Sequence, residues 1–381
     1  TLPLHQCGGR VCSQTIRAPQ AMPLFDNSAM DGFALNTTQY SENCILPVSG
    51  TMAAGDAPAP LPPGTAMRIY TGAPLPDGAN AVVMSELCHA RGNTVRVTRT
   101  PSAGDNIRRA GSDQAKGAVI VQAGQQIAPR HIGLLAGNGI QSCTVTRRIR
   151  VGVFSTGDEL AAGALRPGQI HDANRPMLLA LAAQCGAETT DLGVLPDDLG
   201  ATTQALADIM GRFDLVLTSG AVSIGGRDHM RAALVAAGGA LDGWRVAIKP
   251  GKPVAFGRLG RTVFTGLPGN PFAAFVGFHL FAAPQIARLS GAAPARFAHH
   301  PARAGFDWTR KPGRAEVFPV RLKTRDQTGA PVLDRLGAGG SATLFPLTEA
   351  DGVAIVPAET NQVTAGDPLQ WQPFYRMGDA Q

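Results

Sequence analysis

The run "PLFDNSAMDGFAL", residues 23–35, places Asp26, Asn27, Ser28 and Asp31 within six residues, flanked by Leu24, Phe25, Phe33 and Leu35. Two carboxylates on an apolar base suit one of two tasks. One is a capped turn, in which an Asp or Asn side chain bonds backbone two residues on. The other is a functional pair of acids, and this stretch alone does not choose. Further along, four apolar runs end in Gly-rich polar loops: "STGDEL" (155–160), "TSGAVSIGGRD" (218–228), "KPGKP" (249–253) and "GLPGNP" (266–271). They carry Asp158, Glu159, Asp228, Lys249 and Lys252. Two of the loops, "TSGAVSIGGRD" and "GLPGNP", lead toward helix starts, where free N–H groups favour phosphate. Loops of α/β proteins are Gly-rich in any case, but four at once with this charge mix weigh against simple punctuation.

The elements around these loops explain why they would meet. Residues 146–292 alternate. "RVGVFS" reads as a strand, 177–184 as a helix, "AETTDLGVL" as a strand and 199–210 as a helix. Then "DLVLTSG" reads as a buried strand, 228–237 as a helix, "WRVAIKP" and "RTVFTGLPG" as strands, and 271–289 as a helix. Such alternation argues for a parallel sheet covered on both faces. In these sheets ligands bind beyond the carboxyl ends of the strands, where the four loops stand. The rest of the chain is different. Residues 37–106 hold short alternating runs broken by Pro and Gly, as expected of a small inserted β-domain between 1–36 and 107–145. Residues 293–381 alternate again in "AEVFPVRL", "DGVAIVPA" and "DPLQWQPF", which predicts a terminal β-domain.

Composition narrows the classes. The 381 residues are 44% hydrophobic and 16% charged, which is ordinary for a globular chain of several domains. The net charge of +6 is dispersed, without a run of five Lys or Arg, and aromatics make up only 6%. A nucleic-acid binder would show a basic stripe with interleaved aromatics; a diffuse positive field suits a small anion. Six cysteines, at 7, 12, 44, 88, 143 and 185, form no CxxC and no zinc spacing, as expected of reduced thiols in the cytoplasm. The apolar stretch "PFAAFVGFHLFAAP" reads as too short, and too interrupted by His279, to span a bilayer. No signal peptide is visible, and the chain opens on Thr1 rather than Met, which leaves a preceding segment open. There is no GxGxxG, Walker lysine loop or HExxH. "AVSIG" around Ser223 approximates a nucleophile elbow. Asp228 and His229 follow it closely, whereas a triad draws its Asp and His from distant loops.

"FDNSAMDGFAL", "RIYTGAPLPDGANAVVM", "NIRRAGSD", "STGDEL", "TSGAVSIGGRD", "AIKPGKP" and "GLPGNP" occur in that order. In this set the chain resembles the MoeA family of molybdopterin molybdenumtransferases, which is similar to the E domain of gephyrin. The resemblance covers residues 8–375. It implies a multidomain α/β plus β protein, with a doubly wound parallel α/β molybdopterin-binding domain flanked by small β-rich domains. It also implies a homodimer whose cleft lies between the α/β domain of one subunit and the inserted and terminal β-domains of the other. The implied reaction is Mg²⁺-dependent cleavage of adenylylated molybdopterin, with AMP released and molybdate inserted. A molybdopterin adenylyltransferase and apo-molybdoenzymes are implied partners; nucleic acid and membrane are not.

Residue by residue, the resemblance implies Asp31, Asp113, Glu159 and Asp228 as catalytic carboxylates, with Glu159 and Asp228 at the metal and Asp26 as a turn cap. Asp197, Arg245, Lys249, Lys252, Ser341, Thr156 and Ser219 are implied substrate contacts. Asp197 is also readable as a plain helix N-cap, and Thr71 and Asn270 as turn-shaping. The charge mix suits the chemistry: lysines neutralise pyrophosphate and molybdate, and Mg²⁺ takes one or two carboxylates plus phosphate oxygens. The chain departs from the family pattern at four positions. Arg245 stands where Lys is common, Ala221 where Gly is usual, Ala273 where a Ser is expected, and Pro319 where an Arg is expected. The last two positions are associated with oxyanion handling in the family. Their loss favours an alternative, a weakened paralogue that carries molybdopterin or acts as a scaffold.

Overall fold

The structure, a computed structural model, describes residues 1–41, 43–161, 163–220, 229–293 and 299–374. It divides into two units, Thr1–Gly8 with Cys12–Val145, and Gly9–Val11 with Thr146–Gln381.

In the first unit a six-stranded sheet runs in the order Ala81–Met84, Gly32–Leu35, Ala66–Ile69, Ile45–Met52, Thr94–Val97, Cys88–Arg91. It takes in Gly32–Leu35, ahead of residue 37, because the "GFAL" that follows Asp31 is wholly buried between two antiparallel neighbours. The remainder of this unit is built of two-stranded pairs and the helix Pro129–Gly137 over a small core that includes Cys7, Cys12, Ile127, Leu135 and Cys143.

The second unit holds an α/β layer and a barrel. The sheet order is Glu188–Leu195, Arg150–Thr156, Leu215–Ser219, Thr262–Leu267, Pro253–Leu259, Ala240–Arg245. The first four strands are parallel, and Pro253–Leu259 runs against both of its neighbours. The sheet is therefore mixed rather than wholly parallel. Sequence reading passed over Pro253–Leu259 because Pro253 and Gly257 interrupt its apolar run. The central strand Leu215–Ser219 is buried at every residue, as a strand covered on both faces must be. On one face Leu206, Ile209, Met230, Ala233 and Leu234 pack against Phe154, Val216 and Phe264. On the other, Leu178, Ala182, Phe278, Ala282 and Ile286 pack against Val151, Val153, Leu215 and Leu217. Each such fully buried Leu or Phe contributes about 1.5–3 kcal/mol.

The helix expected over 271–289 is continuous, with one π-turn at Phe278–Ala282. Against the expectation, Pro271–Leu289 is long enough and, at a mean hydropathy of 1.3, apolar enough to match a membrane span; half of it is buried inside the protein. Phe278, Ala282 and Ile286 enter the core just described, and Phe272, Phe275 and Val276 pack with Ile248, Val317, Leu347 and Val353, as a central core helix requires.

The barrel closes on itself. Ala315–Arg325 pairs with Pro331–Arg335, which pairs with His300–Ala304, then Pro368–Pro373, then Gly352–Val356 and back to Ala315–Arg325. Its interior holds Phe318, Val320, Leu333, Ala354 and Trp371. "WRVAIKP", expected as one strand, divides between the two layers. Ala240–Arg245 stays in the α/β sheet, while Ile248–Lys249 leaves it and pairs in parallel with Ala315 and Glu316 of the barrel. Two residues carry no periodicity of their own, so this crossing is invisible to pattern reading.

Candidate active site

Arg150–Thr156, Leu215–Ser219 and Thr262–Leu267 lie side by side and point the same way, so the loops after them form one edge. Two cavities open there. The larger, about 740 Å³, is lined by Arg245, Lys249, Lys252 and Arg314 together with Asn270 and Ser341. Among the described residues, every charged side chain on its wall is a cation. The smaller, about 470 Å³, is lined by Thr156, Glu159, His171, Asp172, Asn174 and Ser219. Its two carboxylates are Glu159 and Asp172. Gly220, Gly269 and Asn270 line both cavities. Gly220 has φ +88°, and a Cβ there would stand 2.6 Å from the Thr156 carbonyl oxygen. Only glycine fits this shared wall.

The acidic side is held by Asn174. Its Nδ2 donates to Ser219 Oγ and to the Gly269 carbonyl, both at 2.6 Å. Asp172 is committed to structure. Its Oδ1 accepts the N–H groups of Asn174 and Arg175, and its Oδ2 accepts Arg175 Nε. The helix Asn174–Gln184 therefore starts three residues ahead of expectation, because Asp172 satisfies its first free donors. Glu159 is exposed, and its carboxylate has no hydrogen-bond or ion-pair partner among the described residues. It folds back over Gly157, where a Cβ would stand 2.4 Å from Oε2. Among the described residues no three His, Cys, Asp or Glu side chains converge as a metal cage. A Mg²⁺ ion that completes its shell with phosphate and water needs no such cage. The free carboxylate of Glu159 fits that arrangement.

On the basic side, Lys249 Nζ lies 2.9 Å from Glu316 Oε1. Asn270 Nδ2 donates to Ser341 Oγ at 2.8 Å. The N–H groups of Phe272 and Ala273 are taken by the Ser341 carbonyl at 3.1 and 3.3 Å. The start of helix Pro271–Gly277 is thus capped by the barrel loop and has no free donors for phosphate, contrary to expectation. Ser341 and Arg314 line the cavity of their own chain. Ile248–Lys249 joins the terminal domain to the α/β layer of the same chain.

The other candidates fall as follows. Thr156 and Ser219 are buried in the acidic cavity wall. Asp197 lines neither cavity; its N–H donates to Asp158 Oδ1 at 3.3 Å. The N-cap of Leu199–Ile209 is Asp198, which accepts from the Ala201 N–H, so the capping once offered to Asp197 belongs one residue on. Ala221, Ser223 and Asp228 lie outside the described residues. Asp31 and Asp113 belong to the first unit. Asp31 Oδ1 accepts both the N–H and the hydroxyl of Thr71, at 2.7 and 2.9 Å, and these bonds hold its carboxyl below the usual range. Asp26 accepts the Ala110 N–H and pairs with Arg109, which likewise lowers its pKa. Asp113 is exposed.

Sequence reasoning missed Asn174, Arg314 and Glu316 as parts of this edge. The first had a signal: Asp172 two residues before a helix marks a cap, and a capped start points its neighbours into the strand-end crevice. Asn270, read as turn-shaping, reaches both cavities.

Comparison with known proteins places the chain in one family. Family models described as "MoeA N-terminal region (domain I and II)", "Probable molybdopterin binding domain" and "MoeA C-terminal region (domain IV)" match residues 1–139, 152–288 and 301–374. The chain is 36% identical to a molybdopterin molybdenumtransferase of Haemophilus influenzae, over 99% of this chain and 94% of that protein. It is 34% identical to molybdopterin molybdenumtransferase 2 of Mycobacterium tuberculosis, over 97% and 94%. The crystal structure of the molybdopterin biosynthesis moeA protein of Pyrococcus horikoshii superposes with a TM-score of 0.82 at 26% identity, covering 98% of this chain and 94% of that one. The chain belongs to the MoeA family of molybdopterin molybdenumtransferases.

Proposed function

We propose that the protein inserts molybdate into adenylylated molybdopterin and releases AMP, in a Mg²⁺-dependent step of molybdenum cofactor biosynthesis. The observation that carries this reading is a cationic cavity and an acidic one that share a wall of Gly220, Gly269 and Asn270. A dianionic or polyanionic substrate suits the first, and a cation-assisted cleavage suits the second. Lys249, Lys252, Arg245 and Arg314 would draw in and neutralise pyrophosphate and molybdate. Arginine at 245 presents a planar fork where lysine would present a point charge, so it favours two oxygens of one phosphate. Glu159 and Asp228 would hold Mg²⁺, which when bound withdraws charge from the phosphoryl group and the leaving phosphate. Ser341, oriented by Asn270, would bond a substrate oxygen. Asp31 and Asp113 would be further carboxylates of the reaction, and the protein would act as a homodimer. The setting we propose is cytoplasmic, in keeping with six free cysteines.

The experiment is AMP release from adenylylated molybdopterin under anaerobic conditions, with Mg²⁺, with and without molybdate. Molybdate-dependent release that yields cofactor able to reconstitute an apo-molybdoenzyme supports the transferase. Binding without release supports a second reading, a carrier or scaffold. That reading is favoured by Ala273 on the cavity wall, where a hydroxyl is expected, and by Pro319 in a buried strand, where an arginine is expected.

A further inference from the structure

Of the four cations on the larger cavity, Lys249 is the one with a carboxylate partner among the described residues. That partner, Glu316, is 3% exposed. A carboxylate so buried must be paired, and Glu316 is paired at both oxygens. Oε1 meets Lys249 Nζ at 2.9 Å and Oε2 meets Arg310 Nε at 3.4 Å. Arg310 is buried too, and its guanidinium is fixed by the carbonyls of Arg314, Pro357 and Thr360. A second guanidinium, Arg335, stacks on Trp308 at 4.0 Å and crowds Gly339, where a Cβ would stand 2.5 Å from its Nη2 and 3.7 Å from Glu316 Oε1. Glu316 therefore sits immobilised at the mouth of the barrel, directly beneath the loop of Gly339 and Ser341 that lines the cavity. The backbone reinforces this, since Lys249 and Glu316 are register partners in the parallel pair of Ile248–Lys249 with the barrel.

We infer that Glu316 is a positioning residue: it fixes the ammonium of Lys249 on the cavity wall so that its remaining N–H donors meet an oxyanion of the substrate. This rests on the reading of the cavity as the anion site of the proposed reaction. An ammonium on a free four-carbon stem loses side-chain entropy when it engages a ligand. One held by a buried carboxylate has lost it already, which is the advantage of a preorganised donor. Simple electrostatics predicts the opposite sign for removal of Glu316. Without that negative charge the cavity becomes more positive and should bind anions more tightly.

The test uses the full chain and a double-mutant cycle of Glu316→Gln and Lys249→Ala, read in two ways. Inorganic pyrophosphate binding is followed by titration calorimetry, and kcat and KM for AMP release are measured separately. Positioning predicts that Glu316→Gln weakens pyrophosphate binding on the order of tenfold in the presence of Lys249 and changes it less than about twofold in the Lys249→Ala background. In turnover it predicts a raised KM that parallels Lys249→Ala. A purely structural role would cost the same in both backgrounds. Tighter binding by Glu316→Gln, or equal losses in both backgrounds, overturns the proposal. If Glu316→Gln does not fold, Glu316→Asp keeps the charge on Arg310 and withdraws the carboxylate from Lys249 by one methylene. It should lose pyrophosphate affinity in the presence of Lys249 and not in the Lys249→Ala background, and unchanged affinity overturns the proposal. Wild-type protein that binds pyrophosphate but releases no AMP defeats the proposed reaction and leaves the binding arm to decide on Glu316. Wild-type protein that binds no pyrophosphate defeats both.

Discussion

Thr71 gives both its N–H and its hydroxyl to a single oxygen of Asp31, at 2.7 and 2.9 Å, and leaves the other oxygen of that exposed carboxylate without a protein donor among the described residues. A carboxylate bonded in this way is fixed in direction while half of it stays available. The same is not true of Asp26, whose two oxygens are divided between the Ala110 N–H and Arg109. In "FDNSAMDGFAL" both acids hold turns, but only Asp31 retains an oxygen to offer.

The Thr71 bonds set a pH dependence. They favour the charged form, so the folded-state pKa of Asp31 lies below its unfolded value. The stability they supply is complete above the unfolded pKa and is lost as pH falls through the folded one. Thr71→Val removes the hydroxyl bond and keeps the N–H bond. The Asp31 pKa should rise toward the ordinary carboxylate value without reaching it. A carbon-detected NMR titration of the Asp31 carboxyl checks this, and an unchanged or lower pKa contradicts it.

Asn174 is the tie across the strand ends. It is 7% exposed, and its amide joins Ser219, at the end of one strand, to Gly269 just beyond another. Asn174→Ala removes two donors at once and leaves the buried Ser219 hydroxyl without its Asn174 partner. The expected cost is about 1–3 kcal/mol. It should appear in urea unfolding as a lower midpoint with an unchanged slope. Asn174→Asp should be no milder, since it substitutes a charge facing the Gly269 carbonyl oxygen.

Gly220 separates the two cavities, and its requirement is steric. At φ +88°, with the Thr156 carbonyl oxygen 2.6 Å from any Cβ, an alanine pays for both conformation and clash. Gly220→Ala should destabilise by roughly 1–3 kcal/mol. The comparison is Gly163→Ala, where a Cβ meets nothing within 4 Å, and which should change the melting temperature little. Equal melting temperatures for the two variants would remove the argument for a fixed wall.

Much of the edge is legible in the sequence because hydrophobic period and loop chemistry agree there. "DLVLTS", apolar at Leu215–Leu217 and ending in a Gly-rich loop, reads as a doubly covered strand, and the loops after it and its parallel neighbours share one edge. Lys249 and Lys252 stand in one of those loops, whereas Arg245 is implied only by the family resemblance. What is not legible is long-range. Glu316 reads as one polar residue in "AEVFPVRL", because nothing local says that the strand closes a barrel onto Ile248–Lys249. The capping of Pro271–Gly277 by Ser341 is hidden for the same reason, so its N–H groups looked free. Asp197 and Asp198 are adjacent and identical, and pattern alone cannot say which of them turns toward the helix.

Glu159 separates metal chemistry from simple anion binding. Its carboxylate is exposed and has no protein partner among the described residues, so nothing in the fold depends on its charge. Glu159→Gln keeps the shape and should leave stability within about 0.5 kcal/mol. If the carboxylate holds Mg²⁺ against the pyrophosphate, AMP release should fall at least about tenfold, equivalent to roughly 1.4 kcal/mol of transition-state stabilisation. The Mg²⁺ concentration for half-maximal rate should rise with it. Lys252→Ala should do the reverse, raising KM for the adenylate with little effect on the Mg²⁺ requirement, because it stands on the wall of the cationic cavity. Initial rates across a Mg²⁺ series for the two variants check both. If Glu159→Gln shows an unchanged Mg²⁺ curve, the acid is not at the metal, and the acidic cavity would then serve only to shape the loop.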